Sequence, residues 1–251
     1  MRKIDENHEF SYSLVNRYND WMNSEKDFNR YYGNSENIPD FDDFELWRKL
    51  EFYSSLFKLG FKPEYEKENT LLLLGSTFES MLNLMQKIND YKFTNNKNEV
   101  FNVVLNQDYS ELILNREKKQ PQKQVKISGV LPNGLNFIGY ADEVYENCII
   151  DIKTTSNFNK SNYDTSLQIP LYLHFIQDYL VQRGFYQVTE FYQSKAVGKN
   201  EFTMKDTFMI ESQQITESQL TNFSDMCAEI LKNVSVFEKD FENYSKYFNE
   251  Q

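Results

Sequence analysis

The sequence predicts an α/β fold, a central mixed β-sheet flanked by helices, with helical additions at both ends of the chain. Three observations predict it. Alternating runs rich in β-branched and aromatic residues recur at 100–105, 124–130, 137–145, 148–155, 185–196 and 202–210. Stretches with apolar residues at helical spacing precede and separate them, at 69–87 and 163–182. A chain of 251 residues with five Pro and eight Gly shows no linker and is long enough to bury a substantial core. The expected organisation is a single domain over 1–251, with a helical N-terminal elaboration (1–68), a core (69–211) and a C-terminal helical region (212–251).

Each element has its own signal. In 10–32, Ser11 or Ser13 can cap a helix carrying Leu14, Tyr18, Trp21 and Met22 at helical spacing. The acidic stretch 36–45 around Pro39 reads as a loop running into a second helix through about Lys58, stopped by Gly60. Helix 69–87 follows, then a polar Asn/Lys loop at 95–98. Gly184 stops helix 163–182, in which Pro170 either makes a kink or marks a true start near Gln168. Strands 185–196 and 202–210 join at Gly198-Lys199. The acidic, aromatic-dotted segment 216–248 is helical and either packs on the core or carries a partner contact.

Composition excludes several functions. The net charge of −11 argues against a general nucleic-acid coat, yet leaves room for a local basic channel. In 116–126, Arg116, Lys118, Lys119, Lys123 and Lys126 stand against Glu117 alone, a solvated loop or a DNA-contacting one. Two cysteines, Cys148 and Cys227, supply neither a disulfide framework nor a zinc or iron–sulfur ligand set. His8 and His174 have no partner at zinc spacing, and no Ser/His/Asp set or phosphate-cradling glycine loop is visible. The opening MRKIDENHEF lacks an apolar core and the longest aliphatic run is 71–74, so the expectation is a soluble, cytoplasmic protein without a membrane partner. Abundant Asn, Lys, Tyr, Phe and Ile suggest an AT-rich coding source such as a low-GC bacterium or its phage.

The chemistry concentrates in the hairpin. A turn centred on Glu146-Asn147 pairs Tyr145 with Cys148 and places Asp142 directly opposite Asp151 on one sheet face, with Cβ atoms about 4.5–5.5 Å apart. The two-residue repeat puts Lys153 on the face of Asp151 and turns Ile150 and Ile152 to the other. Like charges opposite each other need positive compensation. A divalent cation with oxygen ligands, such as magnesium, suits two carboxylates better than any Cys or His pair in the chain. Lys153 then orients or deprotonates an attacking water or neutralises charge on a phosphate; alternatively it forms a salt bridge with one of the acids. Acid-x-Lys also occurs at Asp90 and Glu117, but only at Asp151 does it lie in an apolar strand with a second acid across a hairpin. Gln168 and Tyr172 follow on one helix face, either reaching a shared substrate or serving as a surface Gln and a half-buried Tyr.

In order and spacing, Gly139-Tyr-Ala-Asp142, Asp151-Ile-Lys153-Thr154 and Gln168-Ile-Pro-Leu-Tyr172 resemble the motifs of the PD-(D/E)XK nuclease superfamily, and within it the RecB-type branch. The resemblance spans roughly 71–172 and touches the N-terminal helix loosely. It implies a restriction-endonuclease-like sheet. It also implies that Glu79, in Gly75-Ser-Thr-Phe-Glu79, is a third acidic ligand or a water-holding residue. Glu79, Asp142, Asp151 and the Ile152 carbonyl would bind one or two Mg2+ or Mn2+ ions. Lys153 would position or activate the water, and Gln168 and Tyr172 would hold the substrate strand or brace the site. Lys118, Lys119 and Lys123 are candidate DNA contacts. Branch members often carry an iron–sulfur cysteine after an opening like Ser11 to Tyr18; none stands here, and no cluster is expected.

The function so implied is a metal-dependent DNA nuclease, expected to be an exonuclease of recombination, repair or phage DNA processing in a bacterial or phage-infected cell. The acidic balance motivates a second class, a nuclease-like module that docks a recombinase, helicase or other repair partner. Strand preference, polarity, RNA as substrate and oligomeric state stay open.

Overall fold

The computed structural model describes residues 4–33, 38–62, 70–177, 180–194 and 200–249. The first part of the chain forms β1 (Glu9–Phe10), α1 (Tyr12–Met22), α2 (Ser24–Tyr32), α3 (Phe41–Phe57) and α4 (Thr70–Asn83). The central part forms β2 (Asp90–Thr94), β3 (Val100–Val104), α5 (Gln107–Lys119), β4 (Gln122–Val130), β5 (Asn136–Val144) and β6 (Cys148–Thr155). The last part forms α6 (Ser161–Asp164), α7 (Gln168–Phe175), β7 (Arg183–Gln193), β8 (Glu201–Glu211), α8 (Glu217–Lys232), α9 (Val234–Phe241) and a 3-10 turn at Glu242–Tyr247. Among the described residues, the strands form one eight-stranded mixed sheet in the order β1-β5-β6-β7-β8-β3-β2, with β4 on β5. The fold is α/β, a mixed sheet flanked by helices. No helix among the described residues is long and apolar enough to cross a membrane.

Two compact units are distinguished, 1–66 with 128–139 and 216–251, and 67–127 with 140–215. In the first, Ser11 caps α1 by accepting the Leu14 N–H at 3.2 Å, as its position predicts. The expected helix 10–32 breaks at Asn23 into α1 and α2. Asp40 caps α3, and Asp42 and Asp43 form its first turn, where acids suit the helix dipole. Part of the expected acidic loop is therefore helix; residues 36 and 37 lie outside the described residues. Helix α3 ends at Lys58 in the left-handed region, two residues before Gly60. The 216–248 segment packs against these helices: the Tyr18 hydroxyl donates to Glu229 at 2.8 Å, and Phe237 stacks edge-on against Phe52 at 5.2 Å.

In the second unit, α4 and α5 cover one sheet face around Leu74, Phe78, Ile113, Ile152 and Phe202. Expected helix 69–87 is α4, which stops at Asn83; Asn69 lies outside the described residues. The polar loop at 95–98 is the turn of the β2–β3 hairpin, whose Asn95 side chain accepts the N–H groups of Lys97 and Glu99. The basic stretch from Arg116 is not a loop: it is the end of α5 and the start of β4. The expected joint at Gly198-Lys199 lies outside the described residues.

The expected helix 163–182 is two short ones, and Gln168 is the first residue of α7, with Pro170 in its first turn where no helical N–H is lost. Gly184 does not end a helix. It lies within β7, where a Cβ would stand 2.1 Å from Ile169 Cγ2 and 3.2 Å from Leu173 Cδ1. The bare backbone lets the apolar face of α7 seat on the sheet, and Ile169, Leu171 and Leu173 are buried there. Gly184→Ala is expected to destabilise the protein by about 1–3 kcal/mol through overpacking, measured by urea unfolding. Adding Ile169→Ala should recover part of that loss; an unchanged midpoint in the single variant would remove the glycine from this role.

Candidate active site

The hairpin has the register read from its turn. Glu143 pairs with Ile150 and Val144 with Ile149, and the Tyr145 N–H donates to the Cys148 carbonyl at 2.8 Å. Asp142 and Asp151 stand opposite at that register. There the ladder changes character: the Ile152 N–H, which would next meet Ala141, donates to Asp142 Oδ2 at 2.8 Å. A carboxylate has entered the ladder, and β5 and β6 part around it.

Asp151 lies beneath α7 and is 1 % exposed. Gln168 Nε2 donates to Asp151 Oδ1 at 2.8 Å and to the Tyr172 hydroxyl at 3.1 Å. The two residues do share a helix face, and Tyr172 is buried. Lys153 Nζ lies 2.6 Å from Asp151 Oδ2 and forms an ion pair with it. Ile152 points the other way, into the apolar cluster under α4.

Glu79 arrives from α4. A Cβ on Gly75 would lie 2.6 Å from Thr154 Oγ1, so the glycine at this position brings α4 close to β6. Gln124 Nε2 donates to Glu79 Oε1 at 3.0 Å and to Asp142 Oδ1 at 3.1 Å, joining the two acids through one amide. Gln124 reaches them from β4 with φ of +50°, a left-handed conformation inside a strand. Nothing in the sequence marks this residue. Tyr186 is a second addition: it is the register partner of Asp151 in β7, and its hydroxyl donates to Ser166 while accepting the Ile169 N–H.

The structure thus gathers Glu79, Asp142, Asp151, Lys153, Gln168 and Tyr172. It does not join the expected DNA-contacting lysines to them. Lys118 and Lys119 line a cavity beside α5, and Lys123 Nζ donates to the Asn83 carbonyl. Arg116 is no solvated cation: it is 2 % exposed and its Nε donates to Glu143 at 2.6 Å. The helical spacing of Tyr109, Ile113 and Arg116 after the Asn106 cap is the signal that would have placed Arg116 on a buried helix face.

Electrostatics follow from burial. Loss of water pushes the Asp151 carboxyl up to about 6; Lys153 opposes the rise and Asp142 adds to it. Burial works against the charge on Lys153, but Asp151 and Asp142 act against that effect and the ammonium is held above its ordinary range. Glu79 is raised by burial and then by Asp142. Among the described residues no group of three or more His, Cys, Asp or Glu side chains is arranged to hold a metal ion. Gln124 joins Glu79 to Asp142, and Lys153 pairs with Asp151 Oδ2. The donor set itself, carboxylate oxygens of Glu79, Asp142 and Asp151, suits a hard divalent cation. No protein-family model matches the chain, and no curated protein matches it.

The raised Asp151 carboxyl has a signed consequence. The folded state binds this proton more tightly than the unfolded chain, so its contribution is fully present below the unfolded value, near pH 4, and is lost as pH rises to about 6. In EDTA, the stability of wild type relative to Asp151→Asn should decline by about 3 kcal/mol across that window, followed by chemical unfolding. A flat difference would show that burial does not control this carboxyl.

Proposed function

We propose that the protein is a metal-dependent nuclease that hydrolyses DNA phosphodiester bonds, built on a restriction-endonuclease-like core. The observation that carries this reading is the meeting of Asp142, Asp151 and Lys153 where the β5–β6 ladder opens, with Glu79 tied to Asp142 through Gln124. Three acids and one ammonium are a costly group to assemble without a cation and a phosphate to serve.

Glu79, Asp142, Asp151 and the Ile152 carbonyl are the groups that would hold Mg2+ or Mn2+. When bound, the ion supplies Lewis-acid neutralisation of the phosphate and activation of the water. Lys153, kept protonated by Asp151, acts as a donor that orients the water and stabilises charge on the phosphate, in preference to acting as a base. Gln168 braces Asp151, and Tyr172 anchors Gln168. Glu79 and Asp142, joined here by the Gln124 amide, are two of the carboxylates that such an ion would draw on.

The test is cleavage of end-labelled linear single- and double-stranded DNA beside closed circular DNA, in Mg2+, Mn2+ or EDTA. Metal-dependent degradation should fall by about 10²–10³-fold in Lys153→Ala and in Asp142→Asn, with folding unchanged by circular dichroism. Loss of linear but not circular DNA assigns an exonuclease. No cleavage of any substrate by the folded wild type in either metal would turn the reading to a docking module.

A further inference from the structure

A cavity of about 620 Å³ lies beside α5, on the sheet face opposite Asp151 and Lys153, and its volume is that of a small-molecule site. Its floor is a closed polar system. Arg116 Nε and the Tyr145 hydroxyl occupy the two carboxylate oxygens of Glu143, which is 0 % exposed, at 2.6 and 2.9 Å. Arg116 Nη2 donates to Gln187 Oε1 at 3.1 Å. That contact fixes the orientation of the Gln187 amide, because the flipped form would set donor against donor. Gln187 is 2 % exposed and lines the cavity, and its Nε2 is left without an acceptor. Buried donors of this kind call for a partner.

The rim adds charge of the matching sign. Lys118 and Lys119 line the cavity at the end of α5, and Glu146 at the hairpin tip is the one carboxylate among the described residues that line it. Leu112, Ile150 and Met209 supply an apolar wall. One unmet amide donor, two ammonium groups and an apolar wall in one pocket describe an anionic head with a flat or apolar body.

We propose that this cavity is a binding site for a small phosphate ester of nucleotide size, its phosphate held by Lys118, Lys119 and the Gln187 amide and its body against Leu112, Ile150 and Met209. The site is independent of the nuclease reading, since it shares no side chain with the acids or with Lys153. It also gives Lys118 and Lys119 a role away from a DNA strand.

Cys148 supplies a built-in reporter. It lines the cavity and is half-buried, whereas Cys227 is 0 % exposed. The experiment follows labelling of Cys148 by a neutral maleimide in the full chain, in EDTA, with adenosine monophosphate, inorganic phosphate or adenosine as probes. Adenosine monophosphate at ten times its Kd should slow labelling about tenfold. Adenosine should not slow it, and inorganic phosphate should do so only at higher concentration. Lys118→Glu with Lys119→Glu should abolish protection, Gln187→Leu should weaken it, and Lys123→Glu should leave it intact. Because both lysines are exposed, the double variant should keep its thermal melt; if it does not, Lys118→Gln with Lys119→Gln replaces it. No protection by adenosine monophosphate at millimolar concentration, or full protection in the lysine variants, overturns the site. Equal protection by inorganic phosphate overturns its nucleotide size.

Discussion

A carboxylate that is 1 % exposed in the middle of a sheet needs a donor or a cation at each oxygen, and much of the second unit follows from supplying them to Asp151. Gln168 serves one oxygen, so α7 must begin where it does and lie close on the strands. That closeness requires Gly184 in β7, since any side chain there would displace Ile169. The Tyr186 hydroxyl ties the start of α7 to the neighbouring strand by accepting the Ile169 N–H. Lys153 faces the other oxygen from two residues along the same strand, the nearest position that shares a face. The site is therefore held by strands and a helix whose packing depends on it, which gives its groups a fixed geometry.

Strand β5 carries two charged systems on opposite faces. Asp142 turns toward Asp151 and Lys153, and its neighbour Glu143 turns toward Arg116, Tyr145 and Gln187 under α5. Alternation makes this unavoidable once both residues are charged. The two systems behave differently because their charge balance differs. Glu143 meets a full guanidinium and a hydroxyl, and both its oxygens are satisfied. Asp142 and Asp151 share one ammonium between two carboxylates, with Glu79 close by, and that surplus of negative charge is what an added cation would relieve.

The hairpin and its register were legible because a turn at Glu146-Asn147 fixes which residues oppose each other, and β-branched residues on both sides leave few alternatives. The N-cap at Ser11 and the start of α7 at Gln168 were legible for similar local reasons. What escaped depends on tertiary contact. β2 has a Lys and a Tyr in a five-residue strand and gains its partner only when β3 folds beside it. Helix α5 hides in a run dense with charge, and burial of Arg116 depends on Glu143, 27 residues away. Gly184 resembles a helix stop in sequence, whereas its use is to leave room for another element.

Gln124 lies furthest from anything a sequence pattern can express. A non-glycine residue in the left-handed region costs on the order of 1 kcal/mol or more and persists only where its surroundings return the energy. Here the return is the donation of one amide to two carboxylates that otherwise repel each other. The side chain is solvent-exposed, and its amide makes those two hydrogen bonds from within β4. A neutral amide offers two carboxylates less charge compensation than a divalent cation would. Gln124 thus keeps Glu79 and Asp142 together through one amide, and the proposed cation would compete with that amide for the same oxygens.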